Sequence, residues 1–290
     1  MSHREESPSA ASALRQRADG LAEKARGLEP DAPQRDRWLS AVADYAEDWL
    51  RSLPNLPGYV FDGPESAEAL AARPIGAAPA AIEDVLETLA AGVDRWGVNE
   101  SAGHFFGYIP GSGTYPGALA DYLAAVTNRY AGVRPAGPGA VRLERAVLEW
   151  VASWLGYPQT SGGDLTSGGS IATLTALVTA RQSRGIEPED VRTAVVYLSA
   201  QTHHAVTKAL RIAGLGQCVH RMVPVDERYR MRADALDAIV QQDVQKGLRP
   251  WVLVASAGST DTGAIDPLPQ LADIATNHGL WLHVDAAYGG

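Results

Sequence analysis

The feature that most constrains the fold of this chain is the alternation of short apolar runs and amphipathic segments in its second half. Four runs have strand length: TAVVYLSA at 193–200, CVHRMVPV at 218–225, WVLVAS at 251–256 and LWLHVDA at 280–286. Segments with apolar residues at helical spacing separate them. Because strands that are apolar on both faces lie inside a helix-covered parallel sheet, the pattern predicts an α/β fold with a mostly parallel sheet and helices on both faces.

The first half of the sequence predicts a helical region. Residues 1–35 are polar and read as a lead-in with some helical character. Residues 36–115 form a helical N-terminal segment, in which DRWLSAVADYAEDWLRSL places its apolar residues at helical spacing. Residues 116–290 form the large domain, which begins with two further helices. The sequence therefore predicts three successive regions.

Composition excludes several classes of function. The 290 residues are 46% hydrophobic and 20% charged, which is typical of a globular protein. A net charge of −9 without any basic run argues against a nucleic-acid or anionic-membrane partner. The single cysteine, Cys218, cannot form an internal disulfide, and this favours a reducing cytoplasm. No signal peptide and no apolar run of about 20 residues is present, so no membrane association is expected.

A glycine-rich turn opens one of the predicted helices. In TSGGSIATLTALVTAR, Gly168 and Gly169 lead into Ser170, and apolar residues at helical spacing follow. The first turn of a helix presents unbonded N–H groups at the positive end of its dipole, so this turn is a candidate anion site with phosphate as the usual ligand. A serine N-cap after a flexible turn explains the same residues without a ligand.

Polar residues also follow two predicted strands, at the edge where ligands of parallel sheets bind. His203 and His204 follow the strand at 193–200, and imidazoles are suited to stacking, proton transfer or metal binding. Ser259 and Thr260 follow the strand at 251–256 and are candidates for lining a pocket. The alternatives are a solvent-exposed histidine at a helix start and an ordinary turn at a strand exit.

Asp285 is a carboxylate at the end of an apolar strand. It shares a strand face with His283, because side chains two residues apart point the same way. Burying a carboxylate is unfavourable unless it is paired, so we expect a cationic or hydrogen-bond-donating partner: an arginine, a metal or a protonated cofactor heterocycle. The small Ala286 and Ala287 leave room for a ligand. His-x-Asp spacing without a third identifiable ligand is a weak metal motif, and no metal is predicted.

Taken in order, six segments resemble the pyridoxal-phosphate-dependent group II amino-acid decarboxylases, of the aromatic-L-amino-acid and glutamate decarboxylase type. The segments are HFFGYIPGSGTYPGALADYL, LERAVLEWVASWLGYP, TSGGSIATLTAL, AQTHHAV, MRADALDAIVQQDVQKGLRPWVLVASAGSTDTGAIDPL and WLHVDAAYGG. The resemblance covers roughly residues 100–290. It implies the large domain of a fold type I, aspartate aminotransferase-like enzyme, incomplete at its C-terminal side, with pyridoxal 5'-phosphate as cofactor and a homodimer when full length.

The resemblance assigns cofactor roles to four of these residues. Asp285 matches the aspartate that pairs with the pyridine nitrogen of the cofactor. His203 matches the histidine that stacks on the pyridine ring. Gly169 and Ser170 match the turn that binds the phosphate. The resemblance therefore implies that His203 and Asp285 are catalytic and that all four residues bind the cofactor.

Further positions follow from the same resemblance. Ser259 stands where the family usually has a threonine near the ring, and Ala287 matches the small residue under the cofactor. Tyr108 and Pro110 fall in the stretch that shapes the substrate pocket, partly across the dimer interface. Gly111 follows where aromatic-specific relatives usually have threonine, and this departure weakens the assignment of an aromatic substrate.

The implied reaction is decarboxylation of an L-amino acid to the amine and CO2. Aromatic substrates are favoured, and acidic and diamino acids remain alternatives. The family holds its cofactor through a lysine beyond the HVDAAY strand, and the context of Lys24, Lys208 and Lys246 does not match it. We therefore expect these 290 residues to be an N-terminal fragment that is inactive alone. The alternatives are an aminotransferase, an aldehyde synthase or a truncated chain without catalysis.

Overall fold

A computed structural model describes residues 10–61, 70, 79–108, 111 and 113–290. The chain forms two compact units, residues 1–113 and 114–290. The predicted boundaries at 35 and 115 stay a prediction. No helix among the described residues is long and apolar enough to cross a membrane.

The described part of the first unit contains three α-helices with defined bounds and a small antiparallel sheet of two short strands. The helices are α1 (Ala10–Ala25), α2 (Ala32–Ser52) and α3 (Ile82–Leu89), and the antiparallel strands are β1 (Tyr59–Val60) and β2 (Gly97–Val98). Helix α2 begins where the Asp31 side chain accepts a hydrogen bond from the Gln34 N–H at 2.8 Å. A proline in its first turn fixes the entry. The amphipathic helix expected from the sequence is present, whereas the pairing of β1 with β2 was not predicted.

The second unit alternates helices and strands. Its helices are α4 (Tyr115–Thr127), α5 (Pro138–Trp154), α6 (Gly169–Ser183), α7 (His204–Ile212), α8 (Ala233–Gln245) and α9 (Leu268–Asn277). Its strands are β3 (Ala194–Ser199), β4 (Val219–Val223), β5 (Arg249–Ser256) and β6 (Trp281–Asp285). The predicted elements of this part of the chain are therefore confirmed.

The four strands form one parallel sheet in the order β4-β3-β5-β6. Strand alternation divides its core between two faces. Val196, Leu198 and Val254 belong to the core on the face that carries side chains of α6 and α7. Val195 and Tyr197 belong to the opposite core, which includes side chains of α8 and α9. The α/β fold with helices on both faces is thus confirmed.

A buried polar network crosses the second of these faces. The Tyr197 hydroxyl donates to the Asp243 carboxylate at 3.1 Å, and the Arg221 guanidinium binds that carboxylate with its shortest contact at 2.7 Å. The Asp243 side chain is 2% exposed and that of Arg221 is 33% exposed. Burial and the neighbouring carboxylate raise the pKa of Tyr197, so its hydroxyl keeps its proton. The network joins β3, β4 and α8 away from the turns described next.

Candidate active site

The carboxyl ends of β3, β5 and β6 meet at one edge of the sheet, because the strands are parallel. Ser256, the last residue of β5, pairs with Asp285, the last residue of β6. The Ala257 N–H then donates to the Asp285 carbonyl at 2.8 Å. The side chains that follow these strands therefore share one edge, as the sequence predicts for His203, Ser259 and Asp285.

Helix α6 directs its N-terminus toward this edge. At its other end, the Arg184 guanidinium donates to the Leu280 carbonyl, and the Arg184 carbonyl accepts from Arg249. Leu280 and Arg249 lie at the beginnings of β6 and β5, so the C-terminus of α6 lies at the amino edge of the sheet. The helix packs against β6, and its start at Gly169 therefore lies on the side of the carboxyl edge.

The start of α6 has the features of an anion site. Gly168 adopts a φ of +153°, and no side chain among the described residues caps the helix by a hydrogen bond. The first amides that bond back to Gly168 are those of Ile171 and Ala172. The N–H groups of Gly169 and Ser170 thus precede the bonded part of the helix, at the positive end of its dipole. Both residues are exposed, and the alternative of a serine N-cap is not observed.

His203 is the N-cap of α7. Its Nδ1 accepts a hydrogen bond from the Ala205 N–H at 3.2 Å. This bond fixes the tautomer of a neutral ring, because Nδ1 acts as acceptor and Nε2 then carries the proton. The ring is half-buried and lies 4.1 Å from the exposed ring of His204, centroid to centroid. A ring held in this way has a fixed plane, which a stacking role requires.

Asp285 is half-buried at the end of β6, whereas a buried carboxylate was expected. The strand ends at the open edge of the sheet, and this leaves part of the side chain accessible. One carboxylate oxygen accepts a hydrogen bond from the Ala287 N–H at 3.2 Å. No cationic side chain in the described part of the chain forms an ion pair with Asp285. The carboxylate therefore has a weak backbone donor as partner and capacity for a stronger, charged one.

His283 lies two residues before Asp285 on the same strand face. Burial lowers the pKa of His283, and the charge of Asp285 opposes this shift. Its Nε2 is buried and has no hydrogen-bond partner among the described residues. Because the net shift of the His283 pKa is downward, the imidazole stays neutral near pH 7. His283 therefore does not supply the cation that Asp285 lacks.

A pH titration of stability tests this assignment. The folded-state pKa of His283 lies below the unfolded value of about 6.5, so the unfolded chain binds more protons in acid. We expect the free energy of unfolding to fall as the pH drops below about 6.5, until the folded-state pKa is reached. In urea titrations, His283→Gln should reduce this dependence and the exposed control His104→Gln should leave it unchanged. An identical pH dependence in all three proteins contradicts the assignment.

The turn after β5 lies at the same edge of the sheet. Ser259 is buried with 4% of its surface exposed, and its hydroxyl lies 2.7 Å from the Thr262 hydroxyl. Gly258 has a φ of +92°, and a Cβ atom there would lie 2.5 Å from the Tyr288 ring. The Gly289 N–H donates to the Ala257 carbonyl at 3.0 Å. The segment after Asp285 is thus packed against this turn.

Gly258→Ala should loosen that packing. The substitution combines an unfavourable φ with the contact to Tyr288, and we expect it to lower the free energy of unfolding by about 1–3 kcal/mol. Gly263→Ala is the matched control, since Gly263 has a φ of +67° but no neighbouring atom within 4 Å of the place that a Cβ would take. Thermal unfolding midpoints of both variants measure the difference. Equal losses would contradict the close approach of Tyr288.

The structure also locates the remaining candidates. Ala287 is exposed and lies two residues after Asp285. Tyr108 is 74% exposed and has a φ of +57°, a backbone conformation that is uncommon outside glycine. It belongs to the first compact unit. Pro110 lies outside the described residues. Among the described residues, no cluster of three histidine, cysteine or acidic side chains is positioned to hold a metal ion.

Sequence reasoning missed two side chains at this edge. Gln201 and Thr262 lie in the turns after β3 and β5, and the Thr262 hydroxyl donates to the Gln201 Oε1 at 3.2 Å. Both lie in segments that the sequence analysis singles out because of neighbouring residues, His203 in one and Ser259 in the other. Their 61-residue separation along the chain carries no signal that the side chains meet.

Comparison with known proteins identifies the family. The family model described as "Pyridoxal-dependent decarboxylase conserved domain" matches residues 65–290. The chain belongs to the pyridoxal-dependent decarboxylase family. The resemblance found in the sequence motifs is thereby confirmed, as is the fold type I architecture.

Relatives in this family are similar to the chain in sequence and in fold. An aromatic-L-amino-acid decarboxylase from Bacillus atrophaeus is 39% identical over 186 residues, which are 64% of this chain and 38% of that protein. A phenylacetaldehyde synthase from Arabidopsis thaliana is 31% identical over 285 residues, 90% of this chain and 55% of that protein. A crystal structure of Oryza sativa TDC with PLP and tryptamine matches with a TM-score of 0.81 at 26% identity, over 89% of this chain and 56% of that one.

The chain spans about half the length, or less, of these relatives. The cofactor of the family is pyridoxal 5'-phosphate, and the residues present fit that group. The uncapped start of α6 suits a phosphate, and the carboxylate of Asp285 lacks a cation among the described residues. Both features lie at the same edge of the sheet as the ring of His203.

Proposed function

We propose that this chain belongs to an enzyme that decarboxylates an L-amino acid, with aromatic side chains favoured, to the amine and CO2 by means of pyridoxal 5'-phosphate. The observation that carries the proposal is the carboxylate of Asp285, which ends β6 at the open edge of the sheet without a cationic partner among the described residues. A carboxylate in this position favours the protonated form of a heterocycle beside it. Membership of the family supplies the cofactor.

When bound, pyridoxal phosphate serves as an electron sink that stabilises the carbanion left by loss of CO2. In our proposal, the N–H groups of Gly169 and Ser170 bind the phosphate with the help of the helix dipole. His203 would stack on one face of the pyridine ring, with its imidazole oriented by the hydrogen bond from the Ala205 N–H. Asp285 holds a proton on the ring nitrogen by charge pairing.

Other side chains are proposed to shape the site. Ser259 lies near the ring and Ala287 beneath it, where a larger side chain would take up cofactor space. Tyr108 and Pro110 are proposed to contribute to the substrate pocket. The relatives named as aromatic decarboxylases favour an aromatic substrate for this protein.

The test is product analysis of the protein expressed from its natural gene. The purified protein is supplied with pyridoxal phosphate and, separately, with L-tyrosine, L-tryptophan, L-glutamate and L-2,4-diaminobutyrate. We expect CO2 and the corresponding amine in equal amounts, fastest with an aromatic substrate. Release of no CO2 from any of these amino acids in a protein that binds the cofactor would contradict the proposal.

A second candidate function is aldehyde synthesis. It is favoured by the phenylacetaldehyde synthase that aligns over 90% of this chain. The two functions share the cofactor site and differ in the fate of the carbon that loses CO2. The same assay, run in air and under argon, separates them. An aldehyde synthase yields aldehyde and ammonia in place of amine, and this two-electron oxidation requires O2, which is reduced to H2O2.

We further propose that these 290 residues alone do not turn over substrate. Lys208 is exposed on α7, and Lys246 is exposed at the end of α8, near the amino edge of the sheet. Lys24 lies on α1 in the first compact unit. None of the three resembles the lysine that binds the cofactor covalently in this family. With one equivalent of pyridoxal phosphate, we expect the isolated 290-residue chain to form no saturable, single-site borohydride-reducible lysine adduct beyond the slow labelling that exposed lysines show in any protein.

A homodimer and a cytoplasmic location complete the proposal. Helices α4 and α5 expose large apolar side chains, including Leu123, Val126 and Trp154, and such surfaces are typical of interfaces. The cysteine Cys218 is free and buried, as expected in a reducing compartment. Light scattering of the protein expressed from its natural gene tests the dimer.

A further inference from the structure

We propose that Gln201 and Thr262 are positioning residues that set where His203 lies relative to Asp285 at the cofactor site. The inference rests on the proposed function. It starts from a chain of three polar side chains, Ser259, Thr262 and Gln201, which links the turns after β3 and β5.

The direction of the hydrogen bonds among Ser259, Thr262 and Gln201 follows from Gln201. The Gln201 Oε1 is an acceptor, so the Thr262 hydroxyl uses its single proton to reach it at 3.2 Å. Thr262 must then accept at its oxygen, and the Ser259 hydroxyl, 2.7 Å away, is the donor. The backbone N–H of Ala264 also points at the Thr262 oxygen, at 3.4 Å. The hydroxyls of Ser259 and Thr262 thus donate once each.

One end of this chain is anchored in the sheet edge that carries Asp285. Ser259 is buried, and its N–H donates to the Ala264 carbonyl at 2.9 Å. Two residues earlier, the Ala257 N–H donates to the Asp285 carbonyl at 2.8 Å. The turn that carries Thr262 is therefore fixed to the strand end that carries Asp285.

The other end is anchored in the turn that carries His203. The Gln201 N–H donates to the Ser199 hydroxyl at 3.2 Å, and the Ser199 N–H donates to the Thr202 hydroxyl at 3.0 Å. His203 follows directly and is held by Ala205. Hydrogen bonds within the turn after β3 thus order it locally. The bond between Thr262 and Gln201 then links this turn to the turn after β5 through side chains.

No hydrogen bond among the described residues joins the phosphate turn to this link. Gly169 and Ser170 begin α6, which is positioned by packing against α7 and β6. Loss of the Thr262–Gln201 bond should therefore disturb a ligand that needs both a ring site and a phosphate site, but should spare a ligand that needs the phosphate site alone. This difference separates positioning from general destabilisation.

The experiment compares Thr262→Val with the wild type, using apoprotein expressed from the natural gene. Valine keeps the shape of threonine and removes the hydroxyl. Because Thr262 is exposed and its bond to Gln201 is 3.2 Å long, we expect the affinity for pyridoxal phosphate to fall about fivefold and the affinity for inorganic phosphate to stay within about twofold. The circular dichroism of the bound cofactor should also weaken, because it reports how rigidly the ring is held.

Two further variants make the comparison specific. Thr262→Ser keeps the hydroxyl and should restore the affinity for pyridoxal phosphate. Thr276→Val is the matched control, since it removes a hydroxyl that donates to the Ala272 carbonyl near the end of α9. That control should bind both ligands like the wild type.

The outcomes distinguish the inference from the proposed function. Wild-type affinity for pyridoxal phosphate in Thr262→Val overturns the inference and leaves the proposed function standing. An equal loss of pyridoxal phosphate and inorganic phosphate affinity also overturns it, because the effect is then not confined to the ring site. A wild-type protein that binds no pyridoxal phosphate overturns the proposed function and the inference with it.

Discussion

Asp285→Asn should lower the rate of decarboxylation by at least about 100-fold in the protein expressed from its natural gene. Asparagine keeps the shape of the side chain but removes the charge. An opposite charge shifts the pKa of its partner by about 1–3 units, and each unit changes the protonated fraction of the cofactor nitrogen about tenfold. The measurement is the initial rate of CO2 release at saturating cofactor.

Binding measurements show whether the charge or the fold was lost. The phosphate site at Gly169 and Ser170 is separate from Asp285, so we expect affinity for pyridoxal phosphate to fall by no more than about tenfold. Asp261→Asn is the matched control, because it removes an exposed carboxylate from the turn after β5. An unchanged rate in Asp285→Asn would contradict the charge-pairing role. An equal loss in both variants would indicate a general electrostatic effect.

Asp243→Ala should have the largest effect on stability. The substitution leaves the buried Tyr197 hydroxyl and the Arg221 guanidinium without their shared partner. Breaking a buried ion pair costs about 3–5 kcal/mol, and we expect about 3 kcal/mol here because the Arg221 side chain is 33% exposed and can reach water. The midpoint of urea-induced unfolding measures the loss.

The control for this prediction is Asp273→Ala on α9. Asp273 is exposed, so its removal should change the free energy of unfolding by less than about 0.5 kcal/mol. Asp243→Asn should lie between the two, since an amide still accepts from Tyr197 but does not pair with the guanidinium charge. A loss below about 1 kcal/mol in Asp243→Ala would show that the network contributes little.

The sequence was most informative where local patterns and burial agree. The run at 193–200 is apolar on both faces, and β3 is buried along its whole length. The prolines and glycines that flank the predicted helices lie at their ends, as in α9, which begins beside Pro267 and ends before Gly279. Such features depend on neighbours along the chain, and a linear sequence contains them.

The sequence was less informative about side chains that depend on distant partners. The antiparallel pairing of β1 with β2 joins two strands of two residues each, too short to form a periodic pattern. The half-buried state of Asp285 depends on the open edge of the sheet, and a strand pattern alone suggested full burial. The roles assigned to Gly169, Ser170, His203, Ser259, Asp285 and Ala287 stay predictions.

By itself, the sequence determined the alternation of strands and helices and the parallel sheet, and it predicts the carboxyl edge of that sheet as the place for a ligand. Its ordered motifs also determined the family. Only the tertiary structure decided which polar groups meet at that edge and in the core beside it: Thr262 with Gln201, and Asp243 with Tyr197 and Arg221. The physical reason is that periodicity encodes which face of an element is buried, whereas a hydrogen bond between distant residues requires that packing first fix both elements within about 3 Å.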